Sequence, residues 1–237
     1  MKTKILTATV LSLLLIFTAA GCINYDANDT KAHNESELGD FNKINITGVS
    51  HLKLINSDTQ SISIDAGQKN IQNITYKVVN ETLEITAEKY VKSNQDTEIT
   101  VYYKELNEIA VAGVHDVEAD APITTENLTV KVDGTNNVDL KIKVTNFTLN
   151  VVGVDNIDVE GTAQNVTVLA DGTSNVDLED LKAVNVTVTA NGVSNIDVYA
   201  SETLSINLDG ASKLSYAGNP ANVNNNVSAV STVVKKN

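Results

Sequence analysis

From Phe41 onward, apolar and polar residues alternate with a period of two along almost the whole chain. This alternation is typical of half-buried β-strands, and no stretch has the 3.6-residue apolar stripe of an amphipathic helix. The two segments that flank Asn80 and Glu81 are predicted to form a β-hairpin. In the first half the alternation runs through INITGV (44–49), LKLI (52–55), ISI (62–64), ITYKVV (74–79), LEI (83–85) and ITVYY (99–103). The pattern predicts an all-β fold.

A glycine-led heptapeptide repeats through the second half. Its copies are GVHDVEA (from Gly113), GTNNVDL (Gly134), GVDNIDV (Gly153), GTSNVDL (Gly172), GVSNIDV (Gly192) and GASKLSY (Gly210), and a fainter copy, GVSHLKL, begins at Gly48. A period near 20 residues carried by strands is the signature of a β-solenoid. Leucine-rich repeats need a helical half, and propeller blades need about twice the length. We therefore predict a β-solenoid with rungs of about 19–20 residues, preceded by an N-terminal β segment.

Each repeat divides into two strands and a corner. The residues predicted to face inward form apolar ladders between rungs about 4.8 Å apart. On the first strand they are Leu128, Val130, Val132, Phe147, Leu149, Val151, Val166, Val168, Ala170, Val186, Val188, Ala190, Leu204, Ile206 and Leu208, and on the second Val138, Leu140, Ile157, Val159, Val176, Leu178, Ile196, Val198, Leu214 and Tyr216. The glycines between the two strands are expected at corners that require a positive φ, at Gly134, Gly153, Gly172, Gly192 and Gly210.

Two polar residue types recur beside each corner. An asparagine ladder that links successive rungs through side-chain amides is predicted for Asn137, Asn156, Asn175 and Asn195. Two residues later come outward-facing aspartates, at Asp139, Asp158, Asp177 and Asp197. Stacked carboxylates repel one another, so this row is either a solvated acidic stripe or, as a weaker hypothesis, a site for cations with oxygen ligands such as calcium.

Catalytic chemistry has little support in the sequence. Outward threonines (Thr129, Thr148, Thr167 and Thr187) with Ser205 form a hydroxyl row that is explained by β-propensity, or by contact with a repetitive surface such as a glycan. His51 and His115 follow repeat glycines, but no nucleophile motif such as GxSxG accompanies them. A specialised site should interrupt the repeat, and no interruption is evident. We expect a protein that is not an enzyme and has no catalytic residue, metal or cofactor.

The first 22 residues have the pattern of an export signal. Lysines near the start, an apolar stretch from Ile5 to Phe17 and small residues before Cys22 predict a signal peptide over 1–21. The small residues before the sole cysteine resemble a bacterial lipobox, which implies that Cys22 is lipidated; the alternative is a plain signal peptide with an incidental cysteine. Residues 22–40 are polar and without periodicity, so we expect a lipidated N-terminus followed by a disordered tether.

Composition narrows the choice of partners. The 237 residues carry 30 acidic and 17 basic side chains, a net charge of −13, with no arginine and no tryptophan. This balance excludes nucleic acid as a partner, because such binding needs Lys and Arg to neutralise phosphates. Removal of residues 1–21 also removes Lys2 and Lys4, which takes the net charge to −15.

The order of these segments resembles a known family. FNKINITGVSHLKLINSD (41–58), ITYKVVNETLEITAE (74–88), TEITVYYKELNEIAVAGVHDVEA (97–119) and the Gly-x-x-Asn repeats are similar to the putative auto-transporter adhesin, head GIN domain family. The resemblance covers 41–218, with regular repeats over 113–218, and leaves 219–237 as a C-terminal cap or tail. It implies a right-handed parallel β-helix-like solenoid on an exported, often lipid-anchored protein with adhesin-like activity, held at the cell envelope outside the cytoplasm. We expect the protein to contact a membrane through its N-terminal lipid anchor. We expect its ligand to be a glycan or an envelope or matrix protein. The alternative is a glycan-binding module or carbohydrate-active enzyme on the same scaffold.

Overall fold

The structure is a computed structural model that describes residues 29–87, 95–228 and 230–236. Apart from one short helix, α1 (Gln68–Ile71), its regular elements are all strands. The strands are β1 (Lys31–Glu37), β2 (Lys43–Asn56), β3 (Ser61–Gly67), β4 (Thr75–Val79), β5 (Thr82–Ala87), β6 (Glu98–Tyr103), β7 (Glu108–Ala119), β8 (Ile123–Gly134), β9 (Asn137–Gly153), β10 (Asn156–Gly172), β11 (Asn175–Ala190), β12 (Asn195–Leu208), β13 (Lys213–Ala217), β14 (Asn222–Val227) and β15 (Thr232–Lys235). The all-β prediction is confirmed.

The long strands stack in parallel, one repeat upon the next. From β7 to β13 each strand pairs with the equivalent strand of the following repeat, so that Asn137 lies beside Asn156 and Phe147 beside Val166. The result is a β-solenoid of about seven turns, as the repeat predicts. Repeats of unequal length fit because the register shifts at irregularities, one of them between Asp158 and Gly161.

The core fills the interior of the stack. All the residues predicted to face inward are buried except Tyr216, which is partly buried. In β9 the buried positions alternate up to Val144, and the alternation resumes out of phase at Phe147, which marks a corner within the strand. Ile142 and Val144 are therefore inward residues that the division into two strands missed, and each rung encloses more core than predicted.

The faint repeat at Gly48 is a rung of the solenoid. β2 pairs in parallel with β7 along its length, with Gly48 beside Gly113, although 51 residues (57–107) separate the two strands. Within that excursion, β4 and β5 form the predicted antiparallel hairpin. Its two turn residues, Asn80 and Glu81, have φ values of 50° and 61°. Positive φ at both central positions is the geometry of a type I′ turn, which matches the twist of the flanking strands.

The prediction of a disordered tether is wrong for 31–37. These residues form β1, which pairs antiparallel with β3 from Lys31 beside Gly67 to Glu37 beside Ser61. The strand buries little apolar surface, which is why composition alone predicted disorder. It is held by backbone hydrogen bonds to a preformed sheet edge, a partner that composition does not reveal.

Residues 222–235 add a further rung at the C-terminal end. β14 pairs with β12, and β15 pairs with β13, both in parallel.

Glycine geometry at the corners follows the prediction only in part. Gly134, Gly153 and Gly210 have positive φ, whereas Gly172 and Gly192 do not. At Gly172 the requirement is close approach instead, because a Cβ atom there would lie 2.4 Å from the carbonyl oxygen of Gly153.

Candidate functional site

A column of buried polar side chains runs along the corner of the solenoid. Its members occupy the third position of the heptapeptide, and each is at most 6% exposed. We call this set the corner column: Ser50, His115, Asn136, Asp155, Ser174, Ser194 and Ser212. This column was not predicted from the sequence, although a polar residue occupies the same position in every repeat.

Several side chains of the corner column cap the backbone of the rung before them. The His115 N–H donates to Asn136 Oδ1 at 3.0 Å, and the Asn136 N–H donates to Asp155 Oδ1 at 2.9 Å. Near the other end, the Ser194 N–H donates to Ser212 Oγ at 3.1 Å. The chain turns at this corner, so these N–H groups are satisfied by side chains instead of a neighbouring strand.

Ser50 and His115 contact each other inside the column. Ser50 Oγ lies 3.0 Å from His115 Nδ1, and His115 Nε2 lies 3.2 Å from the carbonyl oxygen of Ala112. A carbonyl only accepts, so Nε2 carries the proton and Nδ1 accepts from the Ser50 hydroxyl. Burial lowers the pKa of His115 below its ordinary value of 6.5, although hydrogen bonds to the backbone of Ala112 and Ser50 oppose the shift. Among the described residues, the hydrogen-bond partners of the His115 ring include no carboxylate, so the Ser-His-Asp arrangement that catalysis needs is not formed there.

Asp155 is the charged member of the column. Its Oδ1 accepts hydrogen bonds from the backbone and the side-chain amide of Asn136, both at 2.9 Å, while its Oδ2 is buried without a partner. Burial raises the pKa of the Asp155 carboxyl, and the hydrogen bonds from Asn136 oppose the rise. His115, Asn136 and Asp155 stand where the other copies carry serine. The expectation of an uninterrupted repeat is therefore wrong at three consecutive rungs.

These three rungs, together with the one formed by β2, line an open groove of about 770 Å³. We call it the corner groove. The first four members of the corner column, Ser50 to Asp155, form its floor, and the exposed valines Val114 and Val154 stand along it at 51% and 59% exposure. The lining is completed by Val49, Ser50, His51, Asp96, Thr97, His115, Asp116, Thr135, Asn136, Asn137, Asp155 and Asn156. The combination of apolar walls and a polar floor is typical of a binding site.

The four predicted asparagine positions lie side by side, and two of them, Asn137 and Asn156, line this groove. Asn156 Nδ2 donates to Asn137 Oδ1 at 2.9 Å, and Asn175 and Asn195 continue the chain at 3.0 Å each. Asn137 in turn donates to Asp116. A second asparagine ladder, not predicted, joins Asn127, Asn146, Asn165 and Asn185 at 2.8–3.1 Å. Its signal was again an asparagine at one fixed repeat position.

The four aspartates stack in register on the outer face. Asp139 and Asp158 are exposed, and Asp177 and Asp197 are partly so. Burial, followed by repulsion from Asp177 and Asp139, raises the pKa of Asp158. At the C-terminal end Lys236 relieves the repulsion, with its Nζ 3.2 Å from Asp197. Within the described parts of the chain, no group of three or more His, Cys, Asp or Glu side chains is placed to hold a metal ion.

Cys22 lies outside the described residues, so its lipidation stays a prediction. Across the ranges that the structure describes, we find no helix with the length and apolar character that crossing a membrane requires.

Stacked parallel rungs, polar ladders and a groove at the corner define a β-solenoid of the kind that presents a repetitive surface. The chain belongs to the family described as "Putative auto-transporter adhesin, head GIN domain", whose model matches residues 40–220. No curated protein matches the sequence at a significant level.

Solved structures share this fold. A putative adhesin from Bacteroides fragilis is 23% identical, with a TM-score of 0.80 over 90% of this chain and 100% of that one. A putative lipid binding protein from Parabacteroides distasonis is 17% identical, with a TM-score of 0.66 over 90% and 100%. A putative adhesin from Parabacteroides merdae is also 17% identical, with a TM-score of 0.61 over 90% and 99%. At these identities the likeness shows the fold alone.

Proposed function

We propose that this protein is an exported, lipid-anchored component of the cell surface that acts as an adhesin-like interaction or scaffold protein and not as an enzyme. The family name and the putative adhesins among the structural relatives support an adhesin-like role at the cell surface. The export pattern of residues 1–21 and the lipobox-like cysteine at position 22 support the anchor.

The observation that carries the proposal is the in-register outer surface of the solenoid. Equivalent residues lie directly beside one another from rung to rung, so each polar type forms a row with a spacing of about 4.8 Å. Two asparagine rows are tied by side-chain hydrogen bonds, which hold their amides in fixed orientations. Such a surface offers many equivalent contacts to a partner, and multiple weak contacts add up to firm attachment.

A binding screen of the full chain against arrayed glycans and matrix or envelope proteins tests the proposal. The expected result is saturable binding to at least one class, without turnover of any ligand that is bound. The variant that tests the surface is Asn156→Ala with Asn165→Ala. It interrupts both asparagine rows and should weaken binding. Binding that is unaffected by this variant, or chemical conversion of a bound ligand, would contradict the proposal.

A glycan-binding module is the second candidate, and a trough on the sheet face favours it. Two depressions of about 310 and 220 Å³ share Asn150 and Val152 in their linings, and Leu169 extends the second. Val152 and Leu169 are 49% and 44% exposed, and Asn150 Oδ1 is buried without a hydrogen-bond partner. Exposed apolar side chains beside an unpaired amide oxygen suit the mixed apolar and hydroxyl faces of a sugar.

The sheet-face trough is tested by Leu169→Asp, with Thr162→Asp as an exposed control of the same charge change. If glycans bind in the trough, only the first variant weakens glycan binding. Equal effects of the two variants would assign any loss to charge and would remove the second candidate.

A further inference from the structure

The corner groove contains a buried acid, one of whose carboxylate oxygens has no hydrogen-bond donor. Asp155 is 4% exposed, and its Oδ2 has no hydrogen-bond partner. A buried carboxylate oxygen without a donor is unfavourable, and such groups are uncommon unless a function retains them. Ser174 and Ser194 also leave a hydroxyl unpaired in the corner column, but a hydroxyl is neutral and loses less on burial. The burial of the unpaired Asp155 oxygen therefore needs an explanation that the unpaired serine hydroxyls do not need.

The charges around the groove favour a cation. Asp96, Asp116 and Asp155 line it, and none of its described lining residues is lysine. The whole chain has a net charge of −13, so its field attracts cationic partners to the groove and repels anionic ones. An ammonium group, which has only donors, would supply what the Asp155 carboxylate lacks.

The shape of the groove favours an alkyl stem on that cation. Val49, Val114 and Val154 lie along the groove on three of its four rungs, beside the polar floor. A lysine side chain packs its methylenes on such an apolar wall while its charged end reaches a polar group. Four rungs span roughly 14 Å, which matches about four residues of an extended chain at 3.3 Å each. The groove is therefore longer than a single side chain and suits a short segment of extended chain.

We propose that the corner groove binds a basic, extended segment of a partner protein, with a lysine ammonium directed at the Asp155 carboxylate. The inference rests on the proposed interaction function and names the class of partner for it. Asp116, exposed on the rim, offers a second carboxylate to a second basic residue of the same segment. A small movement of the floor accompanies binding, since Asp155 Oδ2 is covered in the free protein.

Titration of the full chain with the peptide acetyl-(Ala-Lys)4-amide tests this inference, with calorimetry at about 150 mM salt to suppress non-specific attraction. The comparison peptide carries Nε-acetyllysine at every lysine, so that length and stem are kept and the charge is removed. We expect binding of the first peptide only. Asp155→Asn should weaken the binding of this peptide by at least about tenfold, because the lysine ammonium loses its buried, charged partner.

Two further variants keep the result interpretable. Asp209→Asn removes the same charge from an exposed position away from the groove and should leave affinity within about twofold. Asp116→Asn, at the rim, should weaken binding severalfold without the risk that a buried substitution impairs folding. Equal effects of the Asp155, Asp116 and Asp209 variants, or binding of the acetylated peptide, would overturn the inference.

A third titration, with spermidine, separates a protein segment from a free polyamine. Spermidine binding as tight as that of the peptide would overturn the protein partner and assign the groove to small amines. The inference and the proposed function fail in different ways. If the binding screen finds a ligand whose affinity Asp155→Asn does not change, the groove inference falls and the interaction function stands.

Discussion

Gly134 is the position where a single added methyl group should be most informative. Its φ is +126°, and a Cβ atom built there would lie 2.1 Å from the carbonyl oxygen of Gly113 on the preceding rung. The same carbonyl oxygen accepts a hydrogen bond from the Thr135 N–H at 2.8 Å. Gly134→Ala therefore forces an unfavourable backbone conformation and pushes two rungs apart where they are hydrogen-bonded.

The size of the effect follows from three contributions. A glycine-only backbone conformation costs a non-glycine residue about 1–3 kcal/mol. Separating the methyl group from the Gly113 oxygen strains the packing by about 1–3 kcal/mol, and the lost Thr135 hydrogen bond adds about 1 kcal/mol. We expect the free energy of unfolding to fall by about 3–7 kcal/mol, a large part of the 5–15 kcal/mol that is usual for a domain.

Guanidinium unfolding followed by far-UV circular dichroism measures this change. The matched control is Gly39→Ala, because no atom lies within 4 Å of a Cβ built at Gly39. We expect the control to stay within about 0.5 kcal/mol of the wild type. If Gly134→Ala also stays within that limit, close packing of the glycine row is not what holds the rungs together.

Three further outcomes are expected. Cys22→Ser should move the protein from the membrane fraction to the soluble fraction of cells; retention on membranes would refute the anchor. Asn156→Ala removes one donor and one acceptor from its ladder and should lower the free energy of unfolding by about 1 kcal/mol, whereas Gln164→Ala, an exposed control, should not. The melting temperature should fall as pH drops below 6.5, because the buried His115 has a lowered pKa, so the unfolded chain binds its proton first. His115→Ser should flatten this dependence, and an unchanged pH profile in that variant would show that His115 does not cause it.

The stack could be predicted because each rung repeats the same local pattern. Period-two alternation identifies the strands, and a glycine every 18–21 residues identifies the unit. The inward residues follow from the alternation alone, down to Leu204 and Ile206. Ile142 and Val144 were missed because the chain turns within a continuous strand, where no Gly or Pro marks the corner.

The corner groove could not be predicted because it depends on register between distant segments. Ser50 contacts His115 only because β2 pairs with β7 across an excursion of 51 residues. Whether a polar residue at a corner turns inward or outward is also not fixed by period two. The corner column and the asparagine ladder are adjacent in sequence, yet one is buried and the other lies on the surface.

The pairing of β2 with β7 also bears on the order in which parts of the chain fold. β2 pairs in parallel with β5 and β6 on one side, but its other edge is covered only by β7, which begins 52 residues after β2 ends. Contacts of this kind form slowly because a long loop must close first. The repeats from β8 to β12 contact only adjacent rungs and can assemble as soon as two are available. The edge of β2 that faces β7 is thus open for a longer stretch of synthesis than any edge between the regular repeats, and during that interval it is accessible to chaperones and proteases.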